Sequence, residues 1–140
     1  MIDQNKILRG NFGALWINNE EVAEVKTFEA KVTLEYAELD IMGKMGKYQR
    51  NTGFTGEGTM VLHKINSRII KLVGEELQDG KLPEIKIVAK LADPTADGEE
   101  RVVFTNVTVD ELMLMKFENK EIREEEVPFK FAEYEIIDSI

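Results

Sequence analysis

The side chains able to do chemistry are few in this sequence, and they are poorly grouped. His63 is the only histidine and there is no cysteine, which excludes a disulfide scaffold, a thiolate metal site and a cysteine nucleophile. His63 sits in an alternating stretch, where a lone histidine is far more often a surface or packing residue than a general base. Gly53-Phe54-Thr55-Gly56-Glu57-Gly58-Thr59 has the glycine density of a phosphate cradle. It lacks the Lys-Ser/Thr pair that engages phosphate and Mg²⁺, and no helix follows whose N-terminus would face an anion. Its glycines read instead as a strand that needs close backbone approach or a bulge.

Glu124-Glu125-Glu126 offers oxygen ligands to a hard cation. Adjacent side chains of an extended chain point to opposite faces, however, and no Asp/Asn loop with calcium-site spacing accompanies them. A solvated charge run is the reading there, and for Asp93 and Asp97 as well. Lys44, Lys47 and Arg50, with Tyr48 and Phe54 as stacking partners, have the residue types of a nucleic-acid patch. Three cations on a chain of net charge -9 make weak support for that function, because such binding rests on phosphate neutralisation and is readily screened. No catalytic, cofactor-binding or metal-ligating set emerges, and no enzyme is expected.

The elements that must carry these residues are mostly strands. Gly13–Ile17 reads as a short strand followed by a turn at Asn18-Asn19, two residues that tolerate positive φ. From Phe28 to Tyr36 the even positions are Phe28, Ala30, Val32, Leu34 and Tyr36, and the odd ones Glu29, Lys31, Thr33 and Glu35. Period two over this length predicts a strand of an antiparallel sheet with one buried and one wet face. Residues 41–58 hold five of the ten glycines, with Lys44, Lys47 and Arg50 and one acid, Glu57. That segment is expected not to be rigid by itself, and to form the tip of a long hairpin whose second strand runs through Phe54–Leu62.

One helix is predicted over about residues 67–78, capped by Asn66 or Ser67, with an apolar stripe of Ile69, Leu72, Val73 and Leu77 and a stop at Gly80. Strands are predicted from Ile85 to Leu91, over Arg101–Val109, over Leu112–Phe117 and over Ile122–Phe131. A loop is predicted at 93–98 and a turn at Asn119-Lys120. Seven or eight strands and one flanking helix imply a mainly β architecture, an antiparallel sandwich or barrel. At 140 residues the chain has the size of one domain, since cores of roughly 100–150 residues are common. No window approaches ~18 uninterrupted apolar residues and no signal-peptide core is present, so membrane insertion by this chain is not expected and cytoplasmic synthesis is the default.

Charge is unevenly placed. Residues 1–70 carry nine acids and nine bases, and residues 71–140 eighteen acids and nine bases. A basic, glycine-rich hairpin and an acidic C-terminal region (candidates Glu118, Glu121, Glu124, Glu125 and Glu126) are complementary patches on one molecule. Unlike patches that attract make a heterologous contact, which closes into a ring or propagates as a filament. Self-assembly is therefore the leading expectation. The rival is a monomeric β-barrel that binds a small apolar ligand among its even-face residues.

Several motifs support the first reading. Lys26-Thr27-Phe28-Glu29-Ala30, Ile41-Met42-Gly43, Thr52-Gly53 with Gly56-Glu57-Gly58-Thr59, Gly98-Glu99-Glu100-Arg101-Val102 and Glu124-Glu125-Glu126-Val127-Pro128-Phe129-Lys130-Phe131 occur in one order. Their order and spacing resemble the tail tube proteins of contractile phage tails, over about residues 7–131. The resemblance implies a small β-sandwich with a side helix, hexameric rings stacked into a hollow tube inside a contractile sheath, and no catalytic residue. It also implies that a long hairpin and an inner sheet line the lumen and connect rings. On this sequence Phe28–Leu62 would contain the hairpin, with Ile41, Met42, Gly43, Lys44, Lys47, Tyr48, Arg50 and Gly53 in its reaching part. Glu29, Lys31, Thr33 and Glu35 would form the lumen face or an outer one, and parity leaves both open. The implied partners are further copies of the chain, a tail sheath protein, a tape-measure protein and a baseplate tube initiator, with DNA only as non-specific passing cargo. The implied location is a virion tail or a headless tailocin particle.

Overall fold

In a computed structural model that describes residues 3–64 and 68–139, alternation has produced strands where the sequence pattern is strongest. These are β1 Gly13–Ile17, β2 Glu20–Glu21, β3 Val25–Asp40, β4 Lys47–His63, β5 Ile85–Leu91, β6 Glu100–Val109 and β7 Glu124–Asp138. They form one seven-stranded sheet in the order β2-β1-β5-β6-β7-β4-β3, and every pairing is antiparallel. Asn18 and Asn19, at φ 50° and 69°, make the tight β1–β2 turn that matches strand twist.

Connectivity forces the sheet to curl. β2 and β3 lie at opposite edges, yet only residues 22–24 join them. Four Cα steps reach at most about 15 Å, whereas seven strands laid flat would span about 29 Å. The joining residues are pinned at both edges: the Val22 N–H donates to the Leu15 carbonyl and the His63 N–H to the Glu24 carbonyl, each at 2.8 Å. The antiparallel β class expected from the pattern thus takes the form of a single curled sheet.

Inside the curl lie Leu15, Met60, Ile87, Val127 and Phe129, each essentially inaccessible to solvent, with Phe28, Phe104 and Phe131 packed ring to ring beside them. Phe104 and Val107 both face inward although three residues apart. A register irregularity opposite β5 and the left-handed Asn106, at φ 53°, shift the alternation by one.

The predicted helix is present but irregular, with a π-helical turn Ile70–Gly74 followed by an α-helical turn Glu75–Gln78. Ile69 and Val73 are buried and Leu72 packs against the core, while Leu77 is exposed. The wider i→i+5 turn rotates later residues about the axis, which takes Leu77 off the stripe. The capping positions Asn66 and Ser67 lie outside the described residues, and Gly80, at φ 74°, ends the segment. No helix among the described residues is long and apolar enough to cross a membrane.

The strand predicted over Leu112–Phe117 does not form: residues 111–123 join β6 to β7 without regular structure. Both ladder positions beside β6 are already taken by β5 and β7, so this alternating segment finds no edge here. Only Leu112 turns inward, packing on the core and against Gly74.

Candidate assembly surface

The hairpin is longer than the sequence suggested. Its strands are Val25–Asp40 and Lys47–His63, so the turn covers only residues 41–46, and Lys47, Tyr48, Arg50 and Gly53 lie within the ladder. Gly43, at φ 83°, supplies the left-handed residue of the turn. The ladder slips at Glu35/Tyr36, where Thr52 is left without a register partner between Gly53 and Asn51.

The half of the hairpin near the core is fixed by β7. Gly58 pairs with Phe129 and Gly56 with Phe131, and a Cβ on either glycine would overlap the opposite ring; on Gly58 it would also meet the Glu29 carbonyl oxygen. The glycine density of 53–59 is thus explained by close approach at Gly56 and Gly58 and by a bulge beside Gly53.

Beyond Gly56–Phe131 the sheet forks. β7 stays with β6 as far as Asp138, while β3 and β4 continue as a two-stranded ribbon. The even face of β3 keeps its apolar pattern past the fork, and Leu34, Tyr36 and Phe54 stand exposed. Phe54 makes a T-shaped contact with Tyr134, at 5.8 Å between ring centres. At the tip Ile41 is half-exposed and Met42 and Met45 are fully so. Lys47 pairs with Glu38 at 3.1 Å, and Lys44 and Arg50 make no ion pair among the described residues.

The predicted acidic patch is divided by the alternation of β7. Glu125 is buried and its carboxylate meets Lys64 at 3.4 Å, so it is not part of an exposed acidic face; it shares the inward side with Val127, Phe129 and Phe131. Glu124 pairs with Lys26 at 2.6 Å. That hydrogen bond holds the Glu124 carboxyl below its ordinary range, against the partial desolvation that raises it. Glu126 is exposed on the other face, and Glu118 and Glu121 stand exposed in the 111–123 loop.

Glu29, Lys31, Thr33 and Glu35 share one exposed face. Lys31 meets Glu57 at 3.7 Å and the Thr55 hydroxyl donates to Glu35 at 2.6 Å. The opposite side of the same strands packs on the core through Phe28, Ala30 and Val32.

Two features escaped the sequence reading. Asp93 is buried and accepts five hydrogen bonds: from Arg9 Nε, Nη2 and backbone N–H, and from the Thr95 hydroxyl and N–H, at 2.7–3.1 Å. Chiefly the Arg9 guanidinium, helped by Thr95, holds its carboxyl far below the usual carboxylate range. Asp-x-Thr is a turn signal, but its partner lies 84 residues away. The second feature is the run Met113, Leu114, Met115, Phe117 and Ile122, exposed in the 111–123 loop.

Comparison with known proteins gives these surfaces a setting. The chain is 34% identical over 135 residues to the phage-like element PBSX protein XkdM of Bacillus subtilis (strain 168), covering 95% of this chain and 91% of that protein. Among solved structures it shares the fold of the sheath–tube complex of an extracellular contractile injection system (PVC, extended state), with a TM-score of 0.74 at 9% identity over 93% of this chain and 90% of that one. The sheath/tube terminator of the same kind of system gives 0.77 at 8% identity, over 94% and 97%. Residues 1–138 match the family described as phage tail tube protein. The chain belongs to the phage tail tube family, a family of structural proteins and not of enzymes.

Proposed function

We propose that this chain is the repeating subunit of a tail tube, six copies forming a ring and rings stacking head to tail into a hollow conduit inside a contractile sheath. The carrying observation is the distal half of the β3–β4 hairpin, a two-stranded ribbon on which Leu34, Tyr36 and Phe54 stay exposed. Such a ribbon is marginal alone in water and gains from a neighbour. The likeness to subunits of sheath–tube assemblies supports the sheath as a partner. A baseplate initiator, a tape-measure protein and passing DNA complete the proposed partners, in a virion tail or a headless particle.

The face of Glu29, Lys31, Thr33 and Glu35 is proposed to line the lumen, because the other side of those strands is occupied by the core. On that face Lys31 is paired to Glu57 and Lys130 to Asp110, so a passing polyanion meets neutralised lysines that do not retain it. Ligand binding inside the curl is disfavoured: Phe129, Ile87, Met60 and Leu15 fill it.

Negative-stain electron microscopy of the concentrated protein, with and without a tail initiator, tests this function. Stacked rings or tubes with six-fold end views are expected. A chain that stays monomeric under both conditions contradicts it.

A further inference from the structure

Residues 112–117, Leu-Met-Leu-Met-Lys-Phe, are an almost continuous apolar run between Asp110-Glu111 and Glu118-Asn119-Lys120. A short apolar run bounded by turn residues is the pattern of a strand covered on both faces. Here it has almost no cover: Leu112 packs on the core, while Met113, Leu114, Met115 and Phe117 stand exposed. Among the described residues no backbone hydrogen bond reaches 111–117. Both ends of the loop are held at the end of the sheet away from the hairpin tip. There the Asp110 N–H donates to the Pro128 carbonyl at 2.9 Å and the Lys64 N–H to the Arg123 carbonyl at 3.0 Å. A matching open edge lies in β7. Its ladder with β4 stops at Gly56–Phe131, whereas its ladder with β6 runs on to Asp138. Residues 132–138 therefore have no strand on one side. They too are apolar on both faces, since alternation places Tyr134 and Ile136 on one and Ile137 on the other, all three exposed.

We infer that residues 113–117 are a donor strand, which a second copy of this chain receives along the open edge of its β7, residues 132–138. The inference rests on the tube-subunit function proposed above and assigns a contact in which the hairpin tip takes no part. The two segments are of similar length, each has unpaired backbone groups, and each is apolar on both faces. Pairing them satisfies the backbone of one with that of the other and covers both sets of side chains. Within one subunit they do not meet. The loop leaves β6 level with Pro128, and Tyr134 is six strand steps further on, ~20 Å at ~3.3 Å per residue. Leu112, packed on the core and against Gly74, holds the start of the run in place. Between copies the contact joins unlike surfaces and so repeats from one copy to the next. Charge does not steer it, because Glu111, Glu118 and Glu121 balance Lys116, Lys120 and Arg123 over the loop. Apolar cover and backbone pairing carry it, and a defined edge keeps so apolar a run from indiscriminate strand pairing.

The chain has no cysteine, so introduced thiols report without background. Met115→Cys and Glu135→Cys chains are co-assembled and treated with a short-span bis-maleimide. A cross-linked dimer is expected from mixed tubes, and neither from tubes of one variant alone nor from the unassembled mixture. Mixed tubes that yield no such dimer overturn the inference and leave the tube function standing. If either cysteine variant fails to assemble, amide hydrogen exchange of the unsubstituted chain decides. Residues 113–117 and 132–138 should both exchange rapidly in the free subunit and gain protection together in tubes. Either segment left unprotected in tubes overturns the inference. An unsubstituted chain that makes no tubes removes the function and the inference together.

Discussion

The two halves of the β3–β4 hairpin continue one alternating pattern through very different surroundings. Near the core, Phe28, Ala30 and Val32 pack inward, and Gly56 and Gly58 let the Phe131 and Phe129 rings lie against the strand. Past the fork, Leu34, Tyr36 and Phe54 continue the apolar side with no third strand beneath them. An amphipathic pattern that outlasts its own core marks where a chain expects another chain. The near half serves folding, and the far half is the part proposed to serve assembly.

Substitutions should separate the two. Phe129→Ala, in β7 where it packs beneath the near half at Gly58, should cost about 3–5 kcal/mol by leaving a cavity, read from the denaturant midpoint. Leu34→Ser in the far half should change stability by no more than about 0.5 kcal/mol; equal losses would break the distinction. Gly58→Ala should cost about 1–3 kcal/mol by overpacking against Phe129 and the Glu29 carbonyl. Gly46→Ala, with open space around its Cβ position, should stay within about 0.5 kcal/mol of the parent chain.

Reversing Lys44, Lys47 and Arg50 to Glu should leave circular dichroism unchanged and stability within about 1 kcal/mol, while ring stacking is impaired. Loss of the fold would make the tip part of the core, and unaffected tubes would remove the role of charge.

The smallest effect concerns the packed body alone. The Asp93 carboxyl titrates lower when folded than when unfolded. Its contribution is therefore full above the ordinary aspartate pKa, about 4, and is lost as pH falls below that value. The difference in melting temperature between the parent chain and Asp93→Asn should accordingly shrink between pH 6 and 3. A constant difference would contradict an ionic origin.

Local alternation made β1 and β5 legible to the residue, and the turn at Asn18-Asn19 as well, because period and turn chemistry act over a few residues. The ends of β3 and β4 were not legible. The glycines between 53 and 58 read correctly as close backbone approach or a bulge, but the two phenylalanines they make room for lie some seventy residues later and no local pattern names them. Glu125 read as a surface acid for the same reason: its inward direction is set by the β4–β7 register and by Lys64. Leu112–Phe117 had the pattern of a strand, and only the filled sheet order denies it a partner. The Arg9–Asp93 clamp had a readable turn but no readable partner. Of the candidate surface, the tip was legible through composition and the resemblance, and the apolar loop at the other end was not.

Hydrogen exchange, resolved by peptide and compared between free subunit and assembled tube, tests the division of the hairpin most directly. Residues 34–53 should exchange rapidly in the free chain and gain strong protection on assembly, while 56–62, already held by β7, change little. A far half as protected in the free subunit as the near half, or one that gains no protection in tubes, would contradict the account.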